Sequence, residues 1–309
     1  MNIPALPDVV QWAIPGFIAL ILLEMWIVKR RDPTRYEPND TRTSLLLGFG
    51  STIAGALTGG IVFTLAMAIY QHRLFEIGFV WWAWPLCFLL DDLAYYAFHR
   101  TAHRVRWFWA SHVIHHSSQH YNLTTALRQT WTGFFSLAFI FRLPLFLIGF
   151  HPVLVFFCAG LNLVYQFWIH TEAIGRLPRW FEAVMNTPSH HRVHHATNPR
   201  YLDANFAGVF IIWDRMFGSY VPEREDERPR YGLVHQLGSF SVIWAAFHEW
   251  VGIARDVIAA PWRAKLGYAF GPPGWSHDGS RRTSEDIRAL WRTRQAALAS
   301  ERGRTHGEL

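Results

Sequence analysis

The chain has 309 residues, of which 51% are hydrophobic and 16% aromatic, and its formal net charge is +6 with histidine counted as neutral. Its two cysteines, Cys87 and Cys158, exclude a disulfide framework and a CxxC redox pair. The basic residues form no dominant block and are interrupted by apolar runs, so the charge indicates contact with anionic lipid headgroups and not with nucleic acid. No basic region precedes the first apolar run, and we therefore expect no cleaved signal peptide.

Apolar runs predict most of the secondary structure. In chain order, the predicted membrane spans are residues 9–28, 44–70, 77–98, 131–150 and 152–169. The third run continues into the first histidine block, which predicts one helix that leaves the membrane there. Only His151 separates the last two runs, so they form either a hairpin across the membrane or a re-entrant pair. Arg142, inside the fourth run, weakens the spanning alternative.

Basic residues beside these spans predict their orientation. Between the first two spans lie five of them: Lys29, Arg30, Arg31, Arg35 and Arg42. The next connection, residues 71–76, contains only Arg73, so residues 29–43 are expected in the cytosol. The third span then returns the chain to the cytosol just before His99, and a hairpin over 131–169 would keep residues 170–309 on that side.

The predicted fold is all-α: an integral-membrane bundle of four or five membrane helices beneath a cytosolic helical cap that is rich in histidine. The cap consists of residues 99–130 and 170–235. We expect one membrane-embedded domain over residues 1–260, within which residues 240–259 have an amphipathic pattern. A polar tail, residues 261–309, follows it with a surface helix that Ser284 caps.

Histidine is the unusual residue, with seventeen copies, many of them in three blocks. Positions i, i+3 and i+4 of a helix share a face, so each block presents its imidazoles together. The predicted metal ligands in these blocks are His99, His103, His112, His115, His116, His191, His194 and His195. Eight imidazoles suit two metal ions better than one. Imidazole excludes Mg²⁺ and Ca²⁺ but does not distinguish iron from zinc, copper or nickel.

Polar groups near the blocks are expected to orient these ligands. Asp91, Tyr95 and His99 are spaced by four residues, and a metal-bound histidine usually donates its second N–H to an acceptor. Asp92 is the alternative acceptor, although either aspartate could instead cap a helix or pair with Arg100. His190 is also expected beside the ligands.

The remaining histidines have no motif. His120 and His235 could lie beside the ligands or at the surface. Five isolated histidines are expected to be satisfied core or interface residues: His72, His151, His248, His277 and His306.

At these residues the chain resembles the fatty acid hydroxylase/sterol desaturase superfamily, whose motifs are HxxxH, HxxHH and a final HxxHH. The resemblance covers about residues 90–235 and is closest to the alkylglycerol monooxygenase branch. The matching stretches are HRTAH, HHSSQHYNLTTALRQT, YQFWIHTE, NTPSHHRVHH and FAGVFIIWDRMFGSY. This branch has Glu directly after HxxxH and reads HHSSED, whereas this chain has Arg104 in the first place and Gln119 and His120 in the second.

The resemblance implies a di-iron site on the cytosolic face of a membrane helical bundle, with lipid entering from the bilayer. It also implies that His170 is a further metal ligand. Gln166, four residues earlier, stands where some relatives have another histidine, so that position either lacks a ligand or is filled by Gln or water.

We therefore predict an O2-dependent di-iron enzyme that hydroxylates or desaturates the alkyl part of a membrane lipid. The expected cofactors are two Fe ions, with Zn possible in a purified sample. No flavin or nicotinamide motif and no fused haem domain is visible, so electrons must come from a separate donor such as a ferredoxin, a cytochrome or a pterin. The expected partners are the lipid, O2 and this donor. No catalytic residue beyond the metal ligands is expected.

Two other functions compete with this prediction. A zinc-dependent membrane hydrolase would need an open metal position and a carboxylate base, as in HExxH, but His248-Glu249 lacks the second histidine. A non-enzymatic metal transporter or haem-binding protein would usually place its ligands in the middle of spans. Here the histidine blocks flank the spans.

Overall fold

A computed structural model describes residues 3–30 and 32–307, except for the side chains of residues 29, 33 and 302–307. Across this part of the chain the structure is helical, with two isolated bridges and no strand. The all-α prediction is therefore confirmed. Arg31, which was used to predict orientation, lies outside the described residues, as do the outermost residues of both predicted domains (1–2 and 308–309).

The first two helices, α1 (Val9–Lys29) and α2 (Pro38–Tyr70), are long and apolar enough to cross a membrane. Asp8 caps α1, and Glu37 caps α2 ahead of Pro38 at its first position. Large apolar side chains on both helices are exposed, among them Trp12 at 79% and Leu57 at 74%. Apolar surface of this extent is expected where a helix faces lipid. The two helices contain the first two predicted spans.

The third predicted span corresponds to α3 (Ala83–Ala102), which begins six residues late and continues into the first histidine block as expected. α4 (Arg106–His116) follows after a short turn and carries the second block.

The fourth predicted span, residues 131–150, is not one helix. A 3₁₀ turn (Ala138–Arg142) leads into the short helix α5 (Leu143–Ile148), because Leu137 and Gly149 both have positive φ and end the helical stretch on either side. The fifth becomes α6 (Pro152–Trp168), whose 17 residues span about 25 Å, less than the ~30 Å hydrocarbon core. The fourth predicted span is thus broken into short elements, and the fifth is one apolar helix of 17 residues.

The core of the bundle lies where α3 packs against α5 and α6. Its members are apolar and buried: Cys87, Ala94, Phe146, Phe150, Leu154 and Val155. Beyond α6 come three short helices, α7 (Arg179–Glu182), α8 (Pro188–His194) and α9 (Ile212–Met216). α8 carries the third histidine block.

The C-terminal part contains α10 (Val242–Ala259), α11 (Lys265–Phe270) and α12 (Ser284–Gly307). Residues 261–283 are not a free tail, because Tyr268 is buried and the Arg106 N–H donates to the Gly271 carbonyl at 2.9 Å. α12 begins at Ser284. Its cap is Thr283 and not Ser284, since the Thr283 hydroxyl accepts from the Asp286 N–H.

Candidate metal centre

All nine histidines predicted as ligands lie in two neighbouring groups. Within each group, one nitrogen of every ring lies within 4.8 Å of the others. The five-histidine group consists of His99, His103, His112, His116 and His194. The four-histidine group consists of His115, His170, His191 and His195. Every member except His112 is at most 9% exposed.

Two helices contribute to both groups and thereby fix their separation. In α4, His112 and His116 belong to the five-histidine group, whereas His115 belongs to the four-histidine group. In α8, His191 belongs to the four-histidine group and His194 to the five-histidine group. The two groups meet where the rings of His116 and His195 stack at 4.4 Å between centroids.

Backbone carbonyls fix the tautomer of four of these rings. A carbonyl oxygen can only accept, so each ring must carry its proton on Nδ1, which leaves the Nε2 lone pair free to bind a metal. The four pairs are His99 with Phe206 at 2.7 Å, His115 with Arg128 at 3.2 Å, His170 with Gln166 at 2.7 Å and His194 with Ala204 at 3.0 Å.

The Nε2 atoms of His115 and His170 lie 3.1 Å apart. Burial lowers the pKa of His115 to about 4 and lowers the pKa of His170 well below its usual value, so both rings are neutral at neutral pH. Both carry their only N–H on Nδ1, so no proton lies between the two Nε2 atoms. Two lone pairs therefore face each other in a dry interior, and a cation among them would remove the repulsion.

The spacing of the nitrogens also suits a metal. In the four-histidine group, His191 Nε2 lies 2.9 Å from His170 Nε2 and 3.2 Å from His195 Nε2. In the five-histidine group, His112 Nε2 lies 2.8 Å from His99 Nε2 and 3.1 Å from His116 Nε2. Two nitrogens about 2.1 Å from one ion and at right angles to each other would be about 3.0 Å apart.

Burial also keeps six further rings neutral, because it is the largest cause of their lowered pKa and neighbouring imidazoles add to it. The pKa of each of the six lies well below its usual value: His99, His112, His116, His191, His194 and His195. Neutral imidazole is the form that binds metals. Two buried nitrogens, His103 Nε2 and His191 Nδ1, have no hydrogen-bond partner in the described structure.

The residues predicted to orient the ligands act less directly than expected. Asp92 accepts hydrogen bonds from the Val209 and Phe210 N–H groups and so holds the loop whose Phe206 carbonyl binds His99. Asp91 instead pairs with Arg142 at 2.7 Å.

Three other residues were predicted to lie beside the metal ligands: Tyr95, Gln166 and His190. The Tyr95 ring lies 5.3 Å from that of His99. The Gln166 amide donates to Asn162, and the Gln166 backbone carbonyl accepts from His170 Nδ1. His190 is buried beside Tyr220 but belongs to neither group.

Three buried charged residues, Arg128, Glu24 and Arg192, hold the elements that carry the clustered histidines. Arg128, whose carbonyl binds His115, pairs with Asp40 of α2 at 2.8 Å. Glu24 of α1 accepts from the hydroxyl of Thr171, next to His170. Arg192, next to His191, pairs with Glu223 and donates to the Thr171 carbonyl at 3.0 Å. One sign of these pairs is visible in the sequence, because an acid inside an apolar run, such as Glu24, needs a partner.

A cavity of about 400 Å³ reaches the histidines from the side of the C-terminal segment. His103, His116, His194 and His195 line it, and the Asp203 carboxylate is 3.4 Å from His103 Nδ1. Apolar side chains form part of its wall, whereas Arg282 and His235 lie among its polar lining. The C-terminal segment that was predicted as a tail therefore forms part of the site.

The isolated histidines lie outside both groups. His151 caps α6 by accepting from the Val153 N–H, His277 bonds the Tyr268 hydroxyl, and His248 lines the cavity. His120 is half-buried and His72 is exposed. The side chain of His306 lies outside the described residues.

Comparison with known proteins shows which proteins the domain that carries the site is similar to. Residues 84–219 match the family model described as fatty acid hydroxylase. Alkylglycerol monooxygenase of Homo sapiens is 42% identical over 278 residues, which cover 87% of this chain and 60% of the relative. The same enzyme of Danio rerio is 39% identical over 291 residues, covering 89% and 61%. Cholesterol 25-hydroxylase of Homo sapiens is 25% identical over 222 residues, covering 66% and 77%.

The chain spans about three fifths of the length of the alkylglycerol monooxygenases from these vertebrates. No solved structure matches it. The matched domain contains all nine clustered histidines, from His99 to His195. The chain therefore contains a domain, residues 84–219, that matches the fatty acid hydroxylase family model.

Proposed function

We propose that the two histidine groups hold two iron ions and that the protein is an O2-dependent monooxygenase acting on the alkyl part of a membrane lipid. The observation that carries this proposal is the pair of neutral, buried Nε2 atoms of His115 and His170, which face each other without a proton between them. When bound, a pair of redox-active metal ions would activate O2 for attack on an unactivated C–H bond.

The ligand set supports iron over zinc. Structural and catalytic zinc sites are almost always four-coordinate, whereas the five-histidine group offers five nitrogens within 4.8 Å of one another. Imidazole suits iron, and a metal that accepts more than four ligands can use the whole group.

The protein's own residues hold the metals, fix their ligands and limit access by water. Carbonyls and buried ion pairs restrict the rings to one orientation, which is how outer residues usually tune a metal site. The cavity beside His103 and His116 offers apolar side chains from Val113, Leu202 and Leu237 along which an alkyl chain can lie.

The names of the relatives support hydroxylation over desaturation. Alkylglycerol monooxygenase, cholesterol 25-hydroxylase and ornithine lipid hydroxylase each denote an oxygenation of a lipid. We further propose an integral membrane protein whose metal site faces the cytosol, with lipid supplied by the bilayer. Electrons would come from a separate donor, for which a pterin is one candidate beside a ferredoxin or a cytochrome.

Lipid mass spectrometry tests the function. Cells that produce the protein should contain a lipid with one additional oxygen in an alkyl chain, and cells that produce His115→Ala at the same level should lack it. A lipid that has instead lost two hydrogens would assign desaturation. An unchanged lipid profile in cells whose protein carries two irons and receives electrons would overturn the proposal.

A further inference from the structure

Helix α10 has apolar residues on two opposite faces. Ala245 and Ile253 are buried in the clusters that α10 forms with α2 and α4. On the other side, four large apolar residues are exposed: Ile243 at 62%, Phe247 at 37%, Val251 at 42% and Ile258 at 79%. At 3.6 residues per turn, these four fall within about a quarter of the helix circumference. A single amphipathic helix on a water-soluble surface would leave only polar residues there.

The exposed stripe continues beyond α10. Phe240 precedes it, and Trp262, Leu266 and Phe270 follow it, exposed at 46%, 76%, 73% and 51%. The interfacial stripe is defined here as the exposed apolar residues between Phe240 and Phe270. A contiguous apolar surface of this kind marks a contact with protein or membrane.

The charges beside the stripe favour a membrane. The only acids between residues 240 and 270 are Glu249 and Asp256, and both are paired with Arg106 at 2.5 and 2.6 Å. Arg255 and Arg263 are exposed, and the Arg263 guanidinium lies 5.3 Å from the Trp262 ring centre. An apolar stripe with a cationic border and tryptophan fits the boundary between anionic headgroups and acyl chains.

The position of α10 places the stripe level with the bilayer surface. The Thr43 hydroxyl of α2 donates to the Phe240 carbonyl at 2.8 Å, and Leu47 packs against Ala245. Thr43 and Leu47 lie at the start of the predicted span 44–70. The same helix α2 also exposes large apolar residues, such as Phe49 at 68%.

We propose that α10, with residues 262–270, lies in the plane of the membrane at the same face as the metal site, and that its interfacial stripe enters the boundary between headgroups and acyl chains. The same helix contributes Trp244 and His248 to the cavity beside the histidines. The bilayer surface thus forms the edge of that cavity, and a lipid needs only a short displacement along α10 to reach it. The access of lipid to the cavity rests on the proposed function, whereas the position of α10 in the membrane does not.

Site-directed spin labelling tests the position of the stripe. Cys87 and Cys158 are 0% and 2% exposed, so a label attaches to one introduced cysteine. Val251→Cys and Ile258→Cys report the stripe, and Leu290→Cys, a 50% exposed position on α12, is the matched control. All three sites are exposed, so the variants should fold. The full chain is placed in nanodiscs of phosphatidylcholine and phosphatidylserine.

We expect labels at 251 and 258 to collide several-fold more with O2, which concentrates in acyl chains, and several-fold less with a water-soluble nickel chelate than the label at 290. Equal access of the nickel chelate to all three labels would overturn the proposal. Protection from both reagents, with spin–spin broadening between chains, would also overturn it and would assign the stripe to a contact between two copies. The metal content of the same samples reports separately on the proposed function.

Discussion

Arg128 and Asp40 form an ion pair 2.8 Å long in the interior, with side chains 2% and 5% exposed. The Arg128 guanidinium also donates to the hydroxyls of Ser44 and Ser117, and its backbone carbonyl accepts from His115 Nδ1. A single residue therefore joins the first turn of α2, which lies outside the matched family domain, to a candidate metal ligand.

Breaking this pair should destabilise the protein and loosen the four-histidine group. Arg128→Met leaves the Asp40 carboxylate buried without its cation, which typically costs about 3–5 kcal/mol. We expect a lower unfolding temperature and loss of the metal held by the four-histidine group before that held by the other. Thermal unfolding and metal analysis of the purified protein measure both effects.

Arg224→Met is the matched control, because Arg224 pairs with Asp226 at an exposed site, with side chains 47% and 67% exposed. We expect neither unfolding temperature nor metal content to change. Equal effects of the two substitutions would show that the buried pair has no special role.

A methyl group at Gly208 should displace the loop that supports His99. A Cβ there would lie 2.6 Å from Asn162 Oδ1 and 2.8 Å from Asp92 Oδ1, closer than atoms can approach. Gly208→Ala should cost about 1–3 kcal/mol through overpacking and weaken metal binding in the five-histidine group. Competition with a chelator measures that affinity. Gly175→Ala, where a Cβ would meet nothing within 4 Å, should bind metal like the unmodified protein. Indistinguishable affinities in the two variants would refute this role of the loop.

The ion pairs of Asp256 give the C-terminal segment a defined pH dependence. The hydrogen bonds from Arg281, followed by those from Arg106, lower the pKa of Asp256 from 3.8 to about 2. Because the folded-state pKa is the lower one, the carboxylate stabilises the fold above pH 3.8, and its contribution is lost as the pH falls towards 2.

Asp256→Asn should lower the unfolding temperature by an amount that is constant from neutral pH down to about pH 4 and that shrinks below it. Thermal unfolding of both proteins across this pH range gives the difference between their unfolding temperatures. Titration of the histidines affects both proteins and largely cancels in this difference. A difference that already falls between pH 7 and 5 would contradict the assignment to Asp256.

The sequence predicts which histidines lie together better than it predicts their surroundings. Spacing on a helix is a local property, so His112, His115 and His116 could be grouped without knowledge of the fold. The division of the α4 histidines between two groups could not be predicted, because this division depends on how α3 and α8 pack against α4. The acceptors for the ligand N–H groups were also missed, since any residue can supply a backbone carbonyl and its side chain gives no sign of it.

The predicted membrane spans show the same limit. α1 and α2 follow from continuous apolar sequence, which by itself satisfies the length requirement. Residues 131–150 are equally apolar but break into short elements, because Leu137 adopts a left-handed conformation that no pattern of hydrophobicity indicates. The C-terminal segment is polar in sequence, and its place beside the cavity depends on long-range pairing of Arg281 with Asp256.

Anaerobic metal analysis of the purified protein and of two variants tests the central claim most directly. His112→Ala removes a nitrogen from the five-histidine group, and His191→Ala removes one from the four-histidine group. We predict two irons per chain for the unmodified protein and about one for each variant, with both variants folded, because ligand loss at one position leaves the other group intact. A single ion in the unmodified protein, or two ions retained in both variants, would contradict the account.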